Sequence, residues 1–171
     1  MVKVCSRCIY SSETPGITFD KNNMCNFCRQ IDGYSQQFST GTKAGEINFS
    51  KLVTQIKKEN FKKKYDVIIG VSGGTDSSYL LHLAKENGLR VLAVHYDNTW
   101  NTAIASQNIK KMVTALEIDL YTHVIDWVEY RELMQAFFDS DVVDVELLYD
   151  NAMFAVNYYV AKKHKIKWIL G

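Results

Sequence analysis

The sequence lacks any apolar run of about 18 residues, the length that a membrane-spanning helix needs. Its first residues, MVKVCSRC, also lack the apolar stretch of a secretory signal peptide. From both absences we expect a cytoplasmic protein that does not insert into a membrane. The chain has no excess of charge either, since its formal net charge is +1. A strongly electrostatic partner such as bulk nucleic acid is therefore not expected.

Cysteine is absent from most of the chain. All four cysteines lie within the first 28 residues, as two C-x-x-C pairs separated by 16 residues: Cys5, Cys8, Cys25 and Cys28. Each pair places two thiolates on one side of a turn, and two pairs complete the tetrahedron that Zn²⁺ prefers. Because four protein ligands leave no coordination position open, we predict a structural zinc site. An iron–sulfur cluster, a redox-active pair and two disulfides stay open as alternatives.

Lysine is absent from the glycine-rich segment GVSGGTDSSY at residues 70–79. A loop of the G-x-x-x-x-G-K-[ST] type needs that lysine, and the glycine spacing does not match the dinucleotide motif G-x-G-x-x-G. Residues 70–74 do match the G-x-S-x-G nucleophile elbow of α/β-hydrolases, although no oxyanion motif from an earlier strand accompanies them. The hydrolase and a tight turn without a ligand stay open as alternatives.

The surroundings of this segment favour phosphate binding. Residues 67–69 form an apolar run typical of a buried parallel strand, and a leucine-rich helical pattern begins after Asp76. A strand that turns through Ser72, Gly73 and Gly74 into a helix directs backbone N–H groups and the positive end of the helix dipole at one point. The sequence therefore predicts a phosphate site at this turn.

The chain as a whole divides into three predicted parts. We predict a metal module over residues 1–30, a linker with a helix over 31–64, and an α/β domain over 65–171. In the second part, 31–48 is predicted to be a loop, and Ser50 caps a helix over 51–60. In the third part strands and helices alternate, which predicts a parallel sheet that binds ligands at the carboxyl ends of its strands. The predicted strands are 65–71, 90–96, 119–125 and 166–170, and the helices are 76–87, 101–116, 127–138 and 151–164.

The motif S-G-G-x-D-S resembles the PP-loop of the N-type ATP pyrophosphatase superfamily, whose members cleave ATP between the α and β phosphates. The resemblance implies an adenine-nucleotide alpha-hydrolase-like (HUP-type) α/β fold with a parallel sheet, here joined to the N-terminal four-cysteine zinc module. It implies ATP and Mg²⁺ as cofactors. Asp76 and Ser77 are the catalytic candidates, and Asp76 is expected near Mg²⁺. By position, the residues that hold the pyrophosphate end of ATP are Ser72, Gly73, Gly74, Thr75, Asp76 and Ser77.

Three further residues follow from the predicted sheet. Asp97 lies just beyond the second predicted strand, where with Asn98 it either orients ATP or the substrate, or caps the next helix. His95 is predicted to be a packed core residue. Asp150 is either a carboxylate near Mg²⁺ or the N-cap of the 151–164 helix.

Three segments together resemble the N-acetyl sugar amidotransferases of surface-polysaccharide and nonulosonic-acid biosynthesis. They are CSRCIYSSETPGITFDKNNMCNFC at residues 5–28, GVSGGTDSSY, and LAVHYDNTWN at residues 92–101 together with Asn108 and Ile109. The resemblance implies that ATP adenylates the acetamido oxygen of an N-acetylated sugar and that ammonia from a separate glutaminase subunit displaces AMP, leaving an acetamidino group. Because the chain stops directly after an apolar strand, we expect the N-terminal part of a longer enzyme. A PP-loop tRNA 2-thiolation enzyme and a non-catalytic zinc/ATP-fold fragment stay open as alternatives.

Overall fold

The computed structural model describes residues 2–171. The chain forms two compact units, one ending at Leu52 and the other running from Val53 to Gly171. Two helices lie in the first third of the chain: α1 (Asn26–Phe38) and α2 (Lys43–Glu59). The boundary between the units falls within α2, so its first part belongs to one unit and its last turns belong to the other.

The first unit is built around its cysteines. Short backbone bridges pair Val4 with Ser11 and Phe19 with Cys25. Cys25 caps α1, because its Sγ accepts a hydrogen bond from the backbone N–H of Cys28 at 3.4 Å. The second C-x-x-C pair is thereby fixed at the start of a helix.

The prediction of a loop over residues 31–48 is wrong, because most of these residues are helical. Residues up to Phe38 continue α1, and α2 begins at Lys43 rather than after Ser50. Ser50 lies inside α2, where its hydroxyl donates to the Glu46 carbonyl at 2.9 Å. The glycines and polar residues of this stretch suggested a loop, but the positive φ angles are confined to Ser39 and Gly41, which lie in the short turn between the helices.

The second unit contains a four-stranded parallel sheet, as predicted. Its strands are β1 (Val67–Gly70), β2 (Val91–Asp97), β3 (Asp119–Val124) and β4 (Ile169–Leu170), in the spatial order β3-β2-β1-β4. β1 is central and its apolar residues 67–69 are fully buried. β4 keeps only two residues of the strand predicted over 166–170. All four carboxyl ends meet at one edge, because every pairing is parallel.

Four helices connect these strands: α3 (Thr75–Glu86), α4 (Ala103–Ala115), α5 (Trp127–Asp139) and α6 (Leu147–Lys163). α3 ends at the predicted place, where Gly88 takes φ +67°. α6 begins one turn earlier than predicted, with Glu146 as its N-cap. Asp150 therefore lies in the first turn of α6, so the N-cap alternative for it is wrong, and a position near Mg²⁺ stays a prediction.

At the opposite edge of the sheet, a buried carboxylate pairs with a solvent-exposed arginine. The Asp66 carboxylate is 2% exposed and accepts three hydrogen bonds from Arg90 at 2.6–3.0 Å. The same guanidinium donates to the backbone carbonyls of Asn60 and Lys63. Because a buried carboxylate is costly unless it is paired and hydrogen-bonded, this arrangement fixes the entry to β1.

Among residues 2–171, none of the helices combines the length and the apolarity that crossing a membrane requires.

Candidate functional site

The turn between β1 and α3 leaves the start of the helix open to an anion. Gly73 takes φ +78°, a conformation that favours glycine, and Gly74 is the N-cap of α3. No side chain caps this helix, so N–H groups of its first turn are available to a phosphate. Asp76 lies in the same turn with its carboxylate exposed.

Serine hydroxyls surround this turn with weak internal contacts. Ser72 Oγ and Ser77 Oγ lie 3.4 Å apart, and the Gly74 N–H donates to Ser72 Oγ at 3.4 Å. Ser78 differs, because its hydroxyl donates to the Gly74 carbonyl at 2.5 Å. The Ser72 and Ser77 contacts are near the limit of hydrogen bonding, so both hydroxyls can turn to a ligand at little cost.

Helix α4 holds the turn from the side. A Cβ added to Gly73 would lie 2.3 Å from the Ala105 carbonyl oxygen, so the two backbones are in close contact. Asn108 Nδ2 donates to the Gly73 carbonyl at 3.2 Å. Asn108 belongs to the family resemblance, but its contact with the turn was not predicted, because a contact across 35 residues leaves no local signal.

His95 connects this turn to the loop after β2. The ring is buried, as predicted, and its Nδ1 lies 2.9 Å from the Val71 carbonyl oxygen. Its Nε2 lies 3.2 Å from Asn101 Nδ2. A neutral ring that donates from Nδ1 and accepts at Nε2 satisfies both contacts. His95 therefore packs in the core and also fixes the backbone just before Ser72.

Asp97 stabilises the loop after β2 rather than a helix. Its Oδ1 accepts from the Thr99 N–H at 2.9 Å and from Asn101 Nδ2 at 3.1 Å. Asn98 similarly accepts from the Trp100 N–H at 3.1 Å. The N-cap of α4 is Thr102, so of the two alternatives for Asp97 and Asn98, capping of this helix is wrong and a role toward ATP or the substrate stays a prediction. Asp97 does lie at the carboxyl-end edge of the sheet.

A cavity of about 490 Å³ opens beside the turn at this edge. Ser72 belongs to both, so the cavity is continuous with the turn. Apolar and aromatic side chains dominate its wall, and Tyr96 and Tyr149 pack there with ring centroids 5.4 Å apart. Burial raises the pKa of both tyrosines, so both hydroxyls stay protonated at neutral pH. The remaining lining includes Gly70, Val94, Met153, Phe154, Asn157 and Leu170.

The four cysteines form a second candidate site, in the first unit. Their sulfur atoms all lie within 4.8 Å of one another, with 3.7 Å between Cys8 and Cys25 and 4.0 Å between Cys5 and Cys28. A tetrahedral zinc ion with Zn–S bonds of about 2.3 Å separates its sulfurs by about 3.8 Å. The four thiols therefore fit a single tetrahedral ion, whereas a multi-iron cluster spreads its thiolates over several metal atoms.

Hydrogen bonds and burial shift the pKa values of Cys5 and Cys28 in opposite directions. Burial opposes ionisation of Cys5, but backbone N–H groups, including those of Arg7 and Cys25, donate to its sulfur and lower its pKa to about 6. Burial and the neighbouring sulfurs raise the pKa of Cys28 to about 12. Four thiols this close cannot easily all ionise, because the thiolates would repel each other. A bound metal ion offsets that repulsion.

The second unit is similar in sequence to known proteins. A family model described as "Queuosine biosynthesis protein QueC" matches residues 66–163, more than half of the chain. The tRNA(Ile)-lysidine synthase of Chlamydia pneumoniae is 41% identical over 46 residues, which are 27% of this chain and 14% of that protein.

Two solved structures resemble the fold. A glutamine-dependent NAD⁺ synthetase from Acinetobacter baumannii, in complex with ADP, aligns with a TM-score of 0.51 and 19% identity over 67% of this chain and 23% of its own. An NH₃-dependent NAD synthetase from Campylobacter jejuni, in complex with nitrate, aligns with a TM-score of 0.50 and 16% identity. The alignment covers 68% of this chain and 51% of that protein. At these identities the likeness shows the fold alone, and it confirms the predicted α/β class. The chain spans about half or less of each of these three proteins.

Proposed function

We propose, because this chain belongs to the family of the queuosine biosynthesis protein QueC, that it binds ATP and cleaves it between the α and β phosphates. Family membership confirms the PP-loop ATP pyrophosphatase superfamily that the motif predicted. The observation that carries the proposal is the continuity of the uncapped start of α3 with the adjoining cavity through Ser72. One end suits phosphates and the other suits an aromatic base.

The proposed roles at the turn follow from what each group can donate. Backbone N–H groups of residues 72–77 and the hydroxyls of Ser72 and Ser77 bind the β and γ phosphates and stabilise charge on the departing pyrophosphate. Mg²⁺ would neutralise phosphate charge, and Asp76, in the first turn of α3, is the carboxylate proposed to hold it. Thr75 lies at the first position of α3 beside these groups. His95 and Asn108 keep the turn in place.

For the substrate, we propose the acetamido group of an N-acetylated sugar. An amide oxygen is a poor leaving group, and transfer of AMP to that oxygen turns it into a good one. Ammonia then forms the new C–N bond, AMP leaves with the oxygen, and an acetamidino group remains. The support is the sequence resemblance of the cysteine segment, the turn and the 92–101 segment, together with four cysteines placed to bind one metal ion.

The source of ammonia is proposed to be a separate glutaminase subunit. A cysteine nucleophile is one route to glutamine hydrolysis, but all four cysteines of this sequence lie in the candidate metal site. A protein of similar fold is named as a glutamine-dependent NAD⁺ synthetase, which is compatible with this proposal. Asp97 is proposed to orient the ATP or the sugar from the loop after β2.

The amidotransferase proposal is tested with the enzyme that carries this sequence, an N-acetylated sugar, ATP and ammonium. We expect AMP and pyrophosphate in equal amounts, and a sugar product lighter by the difference between O and NH in mass spectrometry. Glutamine should replace ammonium only after a glutaminase is added. Formation of ADP contradicts the α–β cleavage. Sulfur incorporated into tRNA, with no change in the sugar, contradicts the choice of substrate and favours the 2-thiolation enzyme.

Asp76→Asn tests the metal contact at the turn. We expect ATP affinity in the presence of Mg²⁺ to fall at least about tenfold, which is ~1.4 kcal/mol, because a neutral amide holds the cation poorly. Without Mg²⁺ the variant should bind ATP at least as well as the wild type, because the carboxylate no longer repels the triphosphate. Isothermal titration calorimetry with and without the metal separates the two effects.

The matched control for this experiment is Glu129→Gln. Glu129 is also an exposed carboxylate in the first turn of a helix, but it belongs to α5. Its substitution should leave ATP affinity unchanged under both conditions. Equal Mg²⁺ dependence in wild type and Asp76→Asn would show that Asp76 does not hold the metal.

A further inference from the structure

Asn157 has a buried acceptor atom that the fold does not use. The residue lies in α6, is 6% exposed and lines the cavity beside the turn. Its Nδ2 donates to the Met153 carbonyl at 2.9 Å. Its Oδ1 is buried and has no hydrogen-bond partner among residues 2–171. Buried polar atoms are normally paired, so an unpaired one at a cavity wall points to a ligand.

The amide of Asn157 is fixed in this orientation. Reversing it would bring Oδ1 to the Met153 carbonyl, where two acceptors would face each other. On its other side the amide packs against Gly70, where an added Cβ would lie 3.4 Å from Nδ2 and 3.7 Å from Oδ1. These are ordinary van der Waals distances, so the amide lies directly against the Gly70 backbone. The cavity therefore presents an acceptor that cannot easily exchange for a donor.

We propose that Asn157 Oδ1 accepts a hydrogen bond from the 6-amino group of adenine and so selects ATP over 6-oxopurine nucleotides. This inference rests on the proposed function, which places the phosphates at the turn and the base in the cavity. The aromatic and apolar wall formed by Tyr96, Tyr149 and Phe154 suits the faces of a purine ring. A 6-oxo group brings an acceptor to the same point, and the two oxygens repel each other.

The first measurement compares the dissociation constants of ATP, purine riboside triphosphate and ITP for the wild-type protein with Mg²⁺. We expect affinity to decrease in that order, with ITP at least about tenfold weaker than ATP, because a site built for a donor is left unpaired by an analogue that lacks it. 3′-DeoxyATP should bind like ATP at this contact. These ligand comparisons do not depend on any variant folding.

Asn157→Leu then removes the acceptor while keeping a side chain of similar size. We expect ATP affinity to fall about tenfold and the preference for ATP over ITP to disappear. Asn151→Leu is the matched control, because Asn151 lies in the same helix and makes the same kind of bond, from Nδ2 to the Leu147 carbonyl at 2.8 Å. Unlike Asn157, it is exposed. It should change neither value. Circular dichroism confirms that both variants fold.

The outcomes separate this inference from the proposed function. A wild-type protein that binds no ATP overturns the proposed function and this inference with it. ATP binding with equal affinity for ITP overturns only the role of Asn157. A preference for ATP that survives in Asn157→Leu, or a loss that appears with 3′-deoxyATP instead of ITP, also overturns that role and assigns the contact to another group.

Discussion

Gly73→Ala is expected to abolish measurable ATP binding and to destabilise the second unit. The new Cβ would lie 2.3 Å from the Ala105 carbonyl oxygen, and the φ of +78° is unfavourable for any residue with a side chain. Strain and overpacking together should lower the free energy of unfolding by about 2–5 kcal/mol. Relief requires the turn to move away from α4, which also breaks the Asn108 contact. Calorimetry and thermal denaturation measure the two effects.

Two other glycines serve as controls for this substitution. A Cβ at Gly33 in α1 meets nothing within 4 Å, so Gly33→Ala should be neutral or stabilising by about 0.5–1 kcal/mol. Gly74 has an extended backbone, and a Cβ there meets only the Ser72 hydroxyl at 3.3 Å. Gly74→Ala should therefore destabilise much less than Gly73→Ala. Equal destabilisation by both would show that the contact with Ala105 is not what limits this turn.

Cys25→Ser is expected to release the metal ion and to unfold the first unit. Cys25 is fully buried, ligates in the proposed site and caps α1, so its loss removes a ligand and a helix cap together. Structural zinc stabilises small modules by about 10–16 kcal/mol in apparent binding free energy, and a three-ligand site retains only part of that. Plasma emission spectrometry should find one zinc per wild-type chain and none in the variant after dialysis against a chelator.

The control for the metal site is Lys21→Ala, because Lys21 is exposed in the loop between the two cysteine pairs. It should keep its zinc and its melting temperature. Since thiols must lose protons to bind the ion, zinc retention should weaken in both wild type and control as the pH is lowered. Wild-type protein that contains iron and sulfide, or no metal at all, contradicts the zinc assignment.

The features that could be predicted from the sequence all depend on signals between residues close together in the chain. The short apolar runs before Gly70 and Asp97 marked buried parallel strands, because few other elements combine that length with that apolarity. The cysteine spacing likewise encoded a cluster that the structure brings within 4.8 Å. Helix α3 could be bounded at both ends because a glycine-rich turn precedes it and Gly88 follows it.

The parts that the sequence did not predict depend on contacts between distant residues. The contacts of Asn108 and Asn157 could not be predicted, because only folding brings these residues to the turn and to the cavity. The helical residues of 31–48 were hidden by Gly33 and Gly45, which lie inside helices despite their low propensity. Asp97 does not cap α4, because its carboxylate instead accepts a hydrogen bond from the Thr99 N–H within the loop.

The strand order also determines the sequence of events in folding. β1, β2 and β3 pair through connections of fewer than 30 residues, whereas Ile68 on β1 pairs with Ile169 on β4 across about a hundred. Closing the longer loop costs more chain entropy, so we expect β4 to join last. Leu170 and α6 supply much of one cavity wall. During synthesis, the cavity proposed to bind the base is thus complete only after nearly all of the 171 residues have left the ribosome, while the turn at Gly73 can form much earlier.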